Sequence, residues 1–307
     1  MPDYDVIVFG DTCADLIVTG VDVVPQFGQF EKLVEGYTLE MGGSCCIFAC
    51  QAAKLGLRVG VLGRVGDDAF GRLVLARLDE AGVDTQHITI DPRLKTGLTI
   101  HLVQPGDRAM LTHLGSLNVL TPADVSDSFL ASARHLHYGS LFLHTGLLPA
   151  WTAILRRAKR LGLTVSLDTN WDPDEHWDSG LAAAWPDVDV FLPNDQEALR
   201  ISRADSLDDA VEQLRQQVNV LAVKRGADGA SAYAGSKSAH CTVEPATAGG
   251  DSIGAGDSFD AGFVAAWLRG LALQDCLEIG CACGRAVAGR IGGVAGQPHW
   301  VDIPQLQ

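Results

Sequence analysis

The sequence predicts an α/β protein, a mostly parallel sheet covered by helices on both faces, with a small antiparallel β-sheet lid beside it. Three observations carry this. Short apolar runs alternate with helix-period segments, and glycines stop the helices. Two stretches, approximately 12–40 and 95–116, break that rhythm with strand-like pieces separated by turns.

Taken in order, "DVIVFG" (5–10) reads as a buried strand ending at Gly10. "SCCIFACQAAKLG" (44–56) reads as a helix stopped by Gly56, and "RVGVLG" (58–63) as the next strand. "AFGRLVLARLDEAG" (69–82) is a second helix, followed later by the strand "ARHLHYG" (133–139), the helix "LPAWTAILRRAKRLG" (148–162) and the strand "LTVSLD" (163–168). "VDVFLPN" (188–194), a helix near 207–217 and "VNVLAVKRG" (218–226) continue the alternation. The segment 96–116 predicts a hairpin turning at Pro105-Gly106-Asp107, which together with 13–40 makes the lid. No repeat, low-complexity segment or long polar linker divides the chain, so residues 1–307 are expected to form one domain carrying this lid.

With 307 residues, 47% of them hydrophobic, the chain can bury one large core. A formal net charge of −15 argues against nucleic acid or an anionic membrane as partner, because phosphate backbones and headgroups would be repelled. A small anion remains compatible where backbone dipoles or a metal ion hold it. The eight cysteines, including Cys45, Cys46 and Cys50 and then Cys276, Cys281 and Cys283, lie in apolar runs without a CxxC pair, which reads as reduced buried thiols. No signal peptide opens the chain and no run reaches about 18 apolar residues, so a cytoplasmic protein is expected.

The most informative stretch is "DSIGAGDSFDAGF" (251–263). From Asp257 onward, Phe259, Phe263, Ala266 and Trp267 fall at helical spacing, making Gly254-Ala255-Gly256 the turn before a helix N-terminus. Unsatisfied N–H donors and the helix dipole suit such a turn to an anion such as phosphate. Asp257 is then either a carboxylate complementing the dipole or a general base taking a proton from an attacking hydroxyl while the N–H groups hold phosphoryl charge. No Walker A pattern occurs, and the glycines do not match a dinucleotide fingerprint.

Other segments are weaker singly. Asp15 follows the first strand, and Gly42-Gly43 precede a helix, a pairing suited to adjacent sugar hydroxyls. Asn194 and Glu197 in "PNDQE" share a helical face where oxygen ligands could hold hydrated Mg²⁺, although an NxxE pair is more often a cap. "KRGADG" (224–229) offers two glycines and a local positive pair to a nucleotide phosphate.

The order of these segments resembles the PfkB/ribokinase-like carbohydrate kinase family over nearly the whole chain. "GGSCCIFACQAAKLG" with "GRVGDDAFG" is similar to its N-terminal signature and "DSIGAGDSFDAGF" to its C-terminal one, with "DTN" (168–170), "PNDQE" and "KRGADG" between them. The resemblance implies a ribokinase-like three-layer α/β/α fold and transfer of the γ-phosphoryl group of MgATP to a primary hydroxyl. It implies Asp257 as base, Gly254, Ala255 and Gly256 as anion hole, and Asp15, Gly42 and Gly43 on the substrate. Asn194 and Glu197 would hold Mg²⁺ through water, and Lys224, Gly226, Ala227 and Gly229 would line ATP, with Cys281 near the nucleotide pocket. Asp251, Ile253 and Gly292 match a monovalent-cation site, K⁺ by expectation, and the lid implies a homodimer.

Departures bear on the substrate. Ile47 stands where the family usually carries an asparagine that helps hold a sugar hydroxyl, and Asp172 lies near the position of a usual arginine. Loss of that cation favours a neutral sugar or sugar-like polyol over a sugar acid or sugar phosphate, with Arg108 of the lid as a partial replacement. Apolar residues at 45–47 keep a nucleoside kinase as the alternative, since a base needs flat apolar contact. A non-catalytic sugar- or nucleotide-binding regulator is the reading from another class.

Overall fold

Both faces of the first strand are buried, and each feeds a different core: Val6 and Val8 pack on one side, Ile7 and Phe9 on the other. That explains why "DVIVFG" reads as a continuous apolar run rather than an alternating one. The structure, a computed structural model, describes residues 2–244 and 251–303. Its strands are β1 (Tyr4–Phe9), β2 (Cys13–Thr19), β3 (Gly36–Gly42), β4 (Val59–Gly66), β5 (Ile88–Asp91), β6 (Gly97–Gln104) and β7 (Asp107–His113). They continue as β8 (Ala133–Tyr138), β9 (Thr164–Leu167), β10 (Val190–Phe191), β11 (Val220–Lys224), β12 (Ala230–Ala234) and β13 (Lys237–Cys241). The large sheet runs β13-β12-β11-β10-β9-β8-β1-β4-β5, parallel except at the β11-β12-β13 end. The small sheet runs β3-β2-β6-β7 and contains both stretches that the sequence set apart, but it is mixed rather than antiparallel, because β2 and β6 come from separate hairpin-like segments and pair parallel.

The expected helices form over Ser44–Lys54, Ala69–Glu80, Trp151–Arg160 and Leu207–Leu214. The β12-β13 hairpin and the helix Leu273–Ala288 were not anticipated. Alanine and serine fill β12, and the helix carries glycines that weaken a periodic signal. Those glycines have a packing role: a Cβ on Gly284 would lie 2.8 Å from the Ala255 carbonyl oxygen, and one on Gly280 would lie 3.0 Å from the Phe259 ring. Leu273–Ala288 therefore seats closely against Ala255–Leu268, the helix that carries Asp257. All eight cysteines are free thiols, as the composition indicated. No helix among the described residues is long and apolar enough to cross a membrane.

Candidate active site

The carboxyl ends of β1, β8, β9 and β11 meet the N-termini of Ser44–Lys54 and Ala255–Leu268, the edge where open parallel sheets gather ligand-binding loops. Gly254 caps the second helix with φ of 71°, and a Cβ there would come within 2.6 Å of Gly293 Cα, so only glycine suits the position. The sequence reading placed three residues before the helix. In the structure Ala255 and Gly256 already belong to its first turn, and Asp257 is its third residue. The N–H groups of Gly256 and Asp257 have no carbonyl partner among the described residues, leaving donors at the cleft.

Asp257 is only half-buried, yet the surrounding protein raises its carboxyl to about 7. Loss of hydration is the largest cause, the negative charge of Asp168 adds to it, and Lys224 and a hydrogen bond with Ser44 oppose it. Ser44 belongs to a chain of hydrogen bonds crossing the floor of the cleft. Asn170 Nδ2 donates to Ser44 Oγ at 2.9 Å and to Ser140 Oγ at 3.1 Å, and Ser140 Oγ donates to Asp11 Oδ2 at 2.7 Å. Asp11, Asn170 and Ser140 all adopt positive φ, angles of 61°, 53° and 51°, which non-glycine residues hold only where their surroundings impose it. Asp11 and Ser140 carried no motif signal, whereas Asn170 lay inside "DTN" without an assigned role.

Beneath the anion turn lies a buried charge cluster. Lys224 Nζ donates to Asp168 Oδ2 at 3.0 Å and to both Asp260 oxygens, at 3.0 and 3.1 Å. Burial works against the ammonium, but the two carboxylates outweigh it and hold Lys224 charged. The same ammonium keeps Asp168 below the usual carboxylate value against its own burial, while Asp260 is pushed up by burial. Expected along the nucleotide, the Lys224 side chain instead turns inward, and a Cβ on Gly256 would lie 3.6 Å from Nζ. Its charge thus stands directly behind the anion turn.

Asn194 and Glu197 form a reciprocal capping box on the helix Asp195–Ser202: Asn194 Oδ1 accepts from the Glu197 N–H, and Glu197 Oε2 accepts from the Asn194 N–H, each at 2.8 Å. Glu197 is nevertheless buried and raised to about 7, first by desolvation and then by Asp168. Carboxylates crowded in this way fit a divalent cation, whose charge would relieve them. The bridge between Asn194 and Lys224 sets this cap beside the loop Gly226–Asp228. A Cβ on Gly226 would meet open space, whereas one on Gly229 would collide with the Cys241 carbonyl. Ala227 lies in the loop between them, and Cys281 is buried on Leu273–Ala288 with its thiol in hydrogen-bonding reach of Cys241.

On the lid side, Gly42 and Gly43 allow two close approaches. A Cβ on Gly42 would fall 2.1 Å from Asp15 Oδ1, and one on Gly43 would fall 1.7 Å from the Asp11 carbonyl oxygen. Asp251 ties two loops together, accepting from the Ile253 N–H at 2.9 Å and from the Gly292 N–H at 3.1 Å.

The pocket chemistry read from residues 45–47 needs correction. Cys45, Cys46 and Ile47 are buried in the core, with Ile47 packed against Gly254 and Gly293. Ile47 supports the anion turn from behind, and none of the three favours or excludes a flat base. Asp172 is spent locally, accepting from the N–H groups of Asp174, His176 and Trp177. Arg108 reaches from the lid to Ser252 Oγ at 3.2 Å, two residues before Gly254.

Comparison with known proteins bears on the family and the fold. The pfkB family carbohydrate kinase profile matches residues 3–300. The chain is 34% identical over 278 residues to an ATP-dependent ribose-1-phosphate kinase of Halopiger xanaduensis, covering 89% of this chain and 88% of that one. It is 26% identical over 325 residues to fructokinase-2 of Solanum lycopersicum, covering 95% and 93%. A chain designated ribokinase II from E. coli, solved in complex with ATP and Mg²⁺, superposes with a TM-score of 0.85 at 25% identity and 97% coverage of both chains.

Proposed function

The chain belongs to the pfkB family of carbohydrate kinases, and from that premise we propose which groups carry the reaction and what it acts on. It is an ATP- and Mg²⁺-dependent sugar kinase, a phosphotransferase with an alcohol acceptor. The observation that carries the assignment of roles is Asp257, a carboxylate raised to about 7 on the first turn of a helix whose free N–H groups face the same cleft.

In this reading Asp257 takes the proton of a primary hydroxyl, and the turn Gly254-Ala255-Gly256, through the unpartnered N–H groups of Gly256 and Asp257, receives the charge developing on the transferred phosphoryl group. Lys224 adds a fixed positive charge behind them. Asp15, Gly42 and Gly43 orient the sugar, and Gly226, Ala227 and Gly229 line ATP. Mg²⁺, held through water by Asn194 and Glu197, would neutralise phosphate charge during transfer. The acceptor is a neutral sugar or polyol: Asp11, Asp15 and Asp257 gather on the substrate side, Lys224 is already paired with Asp168 and Asp260, and Arg108 of the lid is held on Ser252 Oγ. The kinship to a ribose-1-phosphate kinase makes the sugar phosphate the competitor to test.

The test measures ADP release from MgATP across neutral sugars, sugar phosphates, sugar acids and nucleosides, with Asp257→Asn alongside. Turnover should fall by ~10²–10⁴-fold in the variant while ATP binding is retained. Near-normal turnover would remove Asp257 from the role of base. Activation by K⁺ at the Asp251, Ile253 and Gly292 segment is part of the same proposal, and equal rates in K⁺ and a large organic cation would rule it out.

A further inference from the structure

His101 projects from lid strand β6 into the substrate side of the site, where no sequence signal marked it. Its Nε2 lies 3.3 Å from Asp15 Oδ2, and both residues are almost closed to solvent, at 6% and 4% exposure. Its Nδ1 has no hydrogen-bond partner among the described residues, and Nε2 has only that long contact with the Asp15 carboxylate. His135 shows what a purely structural histidine does in the same chain: Nδ1 pairs with Thr164 Oγ1 and Nε2 with Ser166 Oγ, both at 2.8 Å. An orphaned buried polar atom is costly and rare, so the unpaired Nδ1 points to a missing partner. His144 has two unpartnered nitrogens, but its ring is pressed against Gly10, where a Cβ would fall 2.3 Å from Nε2. His101 instead faces a carboxylate against which Gly42 packs so closely that a Cβ there would fall 2.1 Å from Asp15 Oδ1.

We propose that His101 is a specificity-determining residue that forms, with Asp15, a donor–acceptor pair reading two adjacent hydroxyls of the sugar. The proposal rests on the sugar-kinase reading above and deepens it. A carboxylate only accepts, and an imidazole N–H donates. One hydroxyl therefore donates to Asp15 while the oxygen of its neighbour accepts from His101. The register supports this placement: β2 and β6 run parallel with Asp15 opposite Thr99 and Ile17 opposite His101, so the imidazole leans back along the strand toward Asp15. A vicinal diol fits this pair, and a sugar lacking either hydroxyl leaves one member unpaired.

The experiment takes the best sugar substrate of the full chain and its single-deoxy analogues. It compares wild type with His101→Ala, His101→Asn and Asp257→Asn by steady-state kinetics and by sugar-binding calorimetry without ATP. Wild type should discriminate strongly against one or two deoxy analogues. In His101→Ala the sugar KM should rise ~10–100-fold, far more than kcat changes, and discrimination at one hydroxyl should shrink by about tenfold or more. His101→Asn, which keeps a donor, should retain part of it and serves as the test if the alanine variant does not fold. An unchanged discrimination ratio in a folded His101 variant, with wild type active and Asp257→Asn inactive, overturns this proposal alone. Wild type that binds ATP but turns over no sugar overturns the kinase reading and this proposal with it.

Discussion

Asp260 holds both of its carboxylate oxygens within 3.1 Å of the Lys224 ammonium, joining a residue of the Asp257 helix to the end of strand β11. Asp168 completes the cluster from the end of β9. Both carboxylates are buried and the lysine side chain is nearly so, so their charges are balanced mainly against one another rather than by water. Removing the single cation should be more damaging than losing a surface ion pair, since two carboxylates would be left in a low-dielectric interior. Lys224→Met is expected to destabilise the protein by about 3–5 kcal/mol in urea unfolding, and adding Asp260→Asn should restore part of that loss. A Lys224→Met protein as stable as wild type would show that the cluster is hydrated.

The raised carboxyl of Asp257 predicts the pH dependence of catalysis. A general base must be deprotonated, so kcat/KM should climb with pH through about 7, by roughly tenfold between pH 6 and 8, following the free enzyme's essential base. Residual activity of Asp257→Asn should be flat over that range. A wild-type profile already level from pH 6 upward would mean that the titrating group is not Asp257.

Stability should respond to the same group with the opposite sign. A carboxyl whose folded pKa lies above its unfolded value binds protons more tightly when folded, so its contribution becomes unfavourable as pH rises from about 4 to 7 and levels off above that. Asp257→Asn should therefore raise the midpoint of thermal unfolding by several degrees at pH 8, on the order of 1–3 kcal/mol after allowance for solvent access. The gain should be smaller at pH 5. Differential scanning calorimetry at the two pH values measures it, and a variant less stable than wild type at pH 8 would contradict the burial argument.

What the sequence made legible follows from how each feature is encoded. Strand β1, the Ser44–Lys54 helix and the Asp257 turn depend on contiguous residues, and apolar runs with glycine stops are local signals. The chain Asp11–Ser140–Asn170–Ser44 is assembled from four separate loop or helix-start positions, and no spacing rule joins them. Lys224 was placed by its neighbours in "KRGADG", yet its side chain follows partners 36 and 56 residues away. Ile47 was judged by the residue it replaces; the decisive fact is its packing on Gly254 and Gly293, which are distant in sequence. His101 was invisible because an alternating lid strand gives no hint which neighbour its side chain meets.

The lid carries a further expectation. Leu39, Leu16, Ile100 and Leu111 stand in register across β3, β2, β6 and β7, an aliphatic row on the opposite face from Asp15. Leu39 and Leu111 are 41% and 59% exposed, and such an open apolar face on a small sheet is a surface that a second copy of the chain would cover. If the homodimer forms through the lids, Leu39→Lys places a charge in its centre and should shift the protein to monomer in sedimentation velocity at micromolar concentration. Because the same strands carry Asp15 and His101 on their inner face, the monomer should bind sugar more weakly while ATP binding is unchanged. A wild-type protein that already sediments as a monomer would sink the lid-to-lid arrangement. A dimer indifferent to Leu39→Lys would move the interface elsewhere.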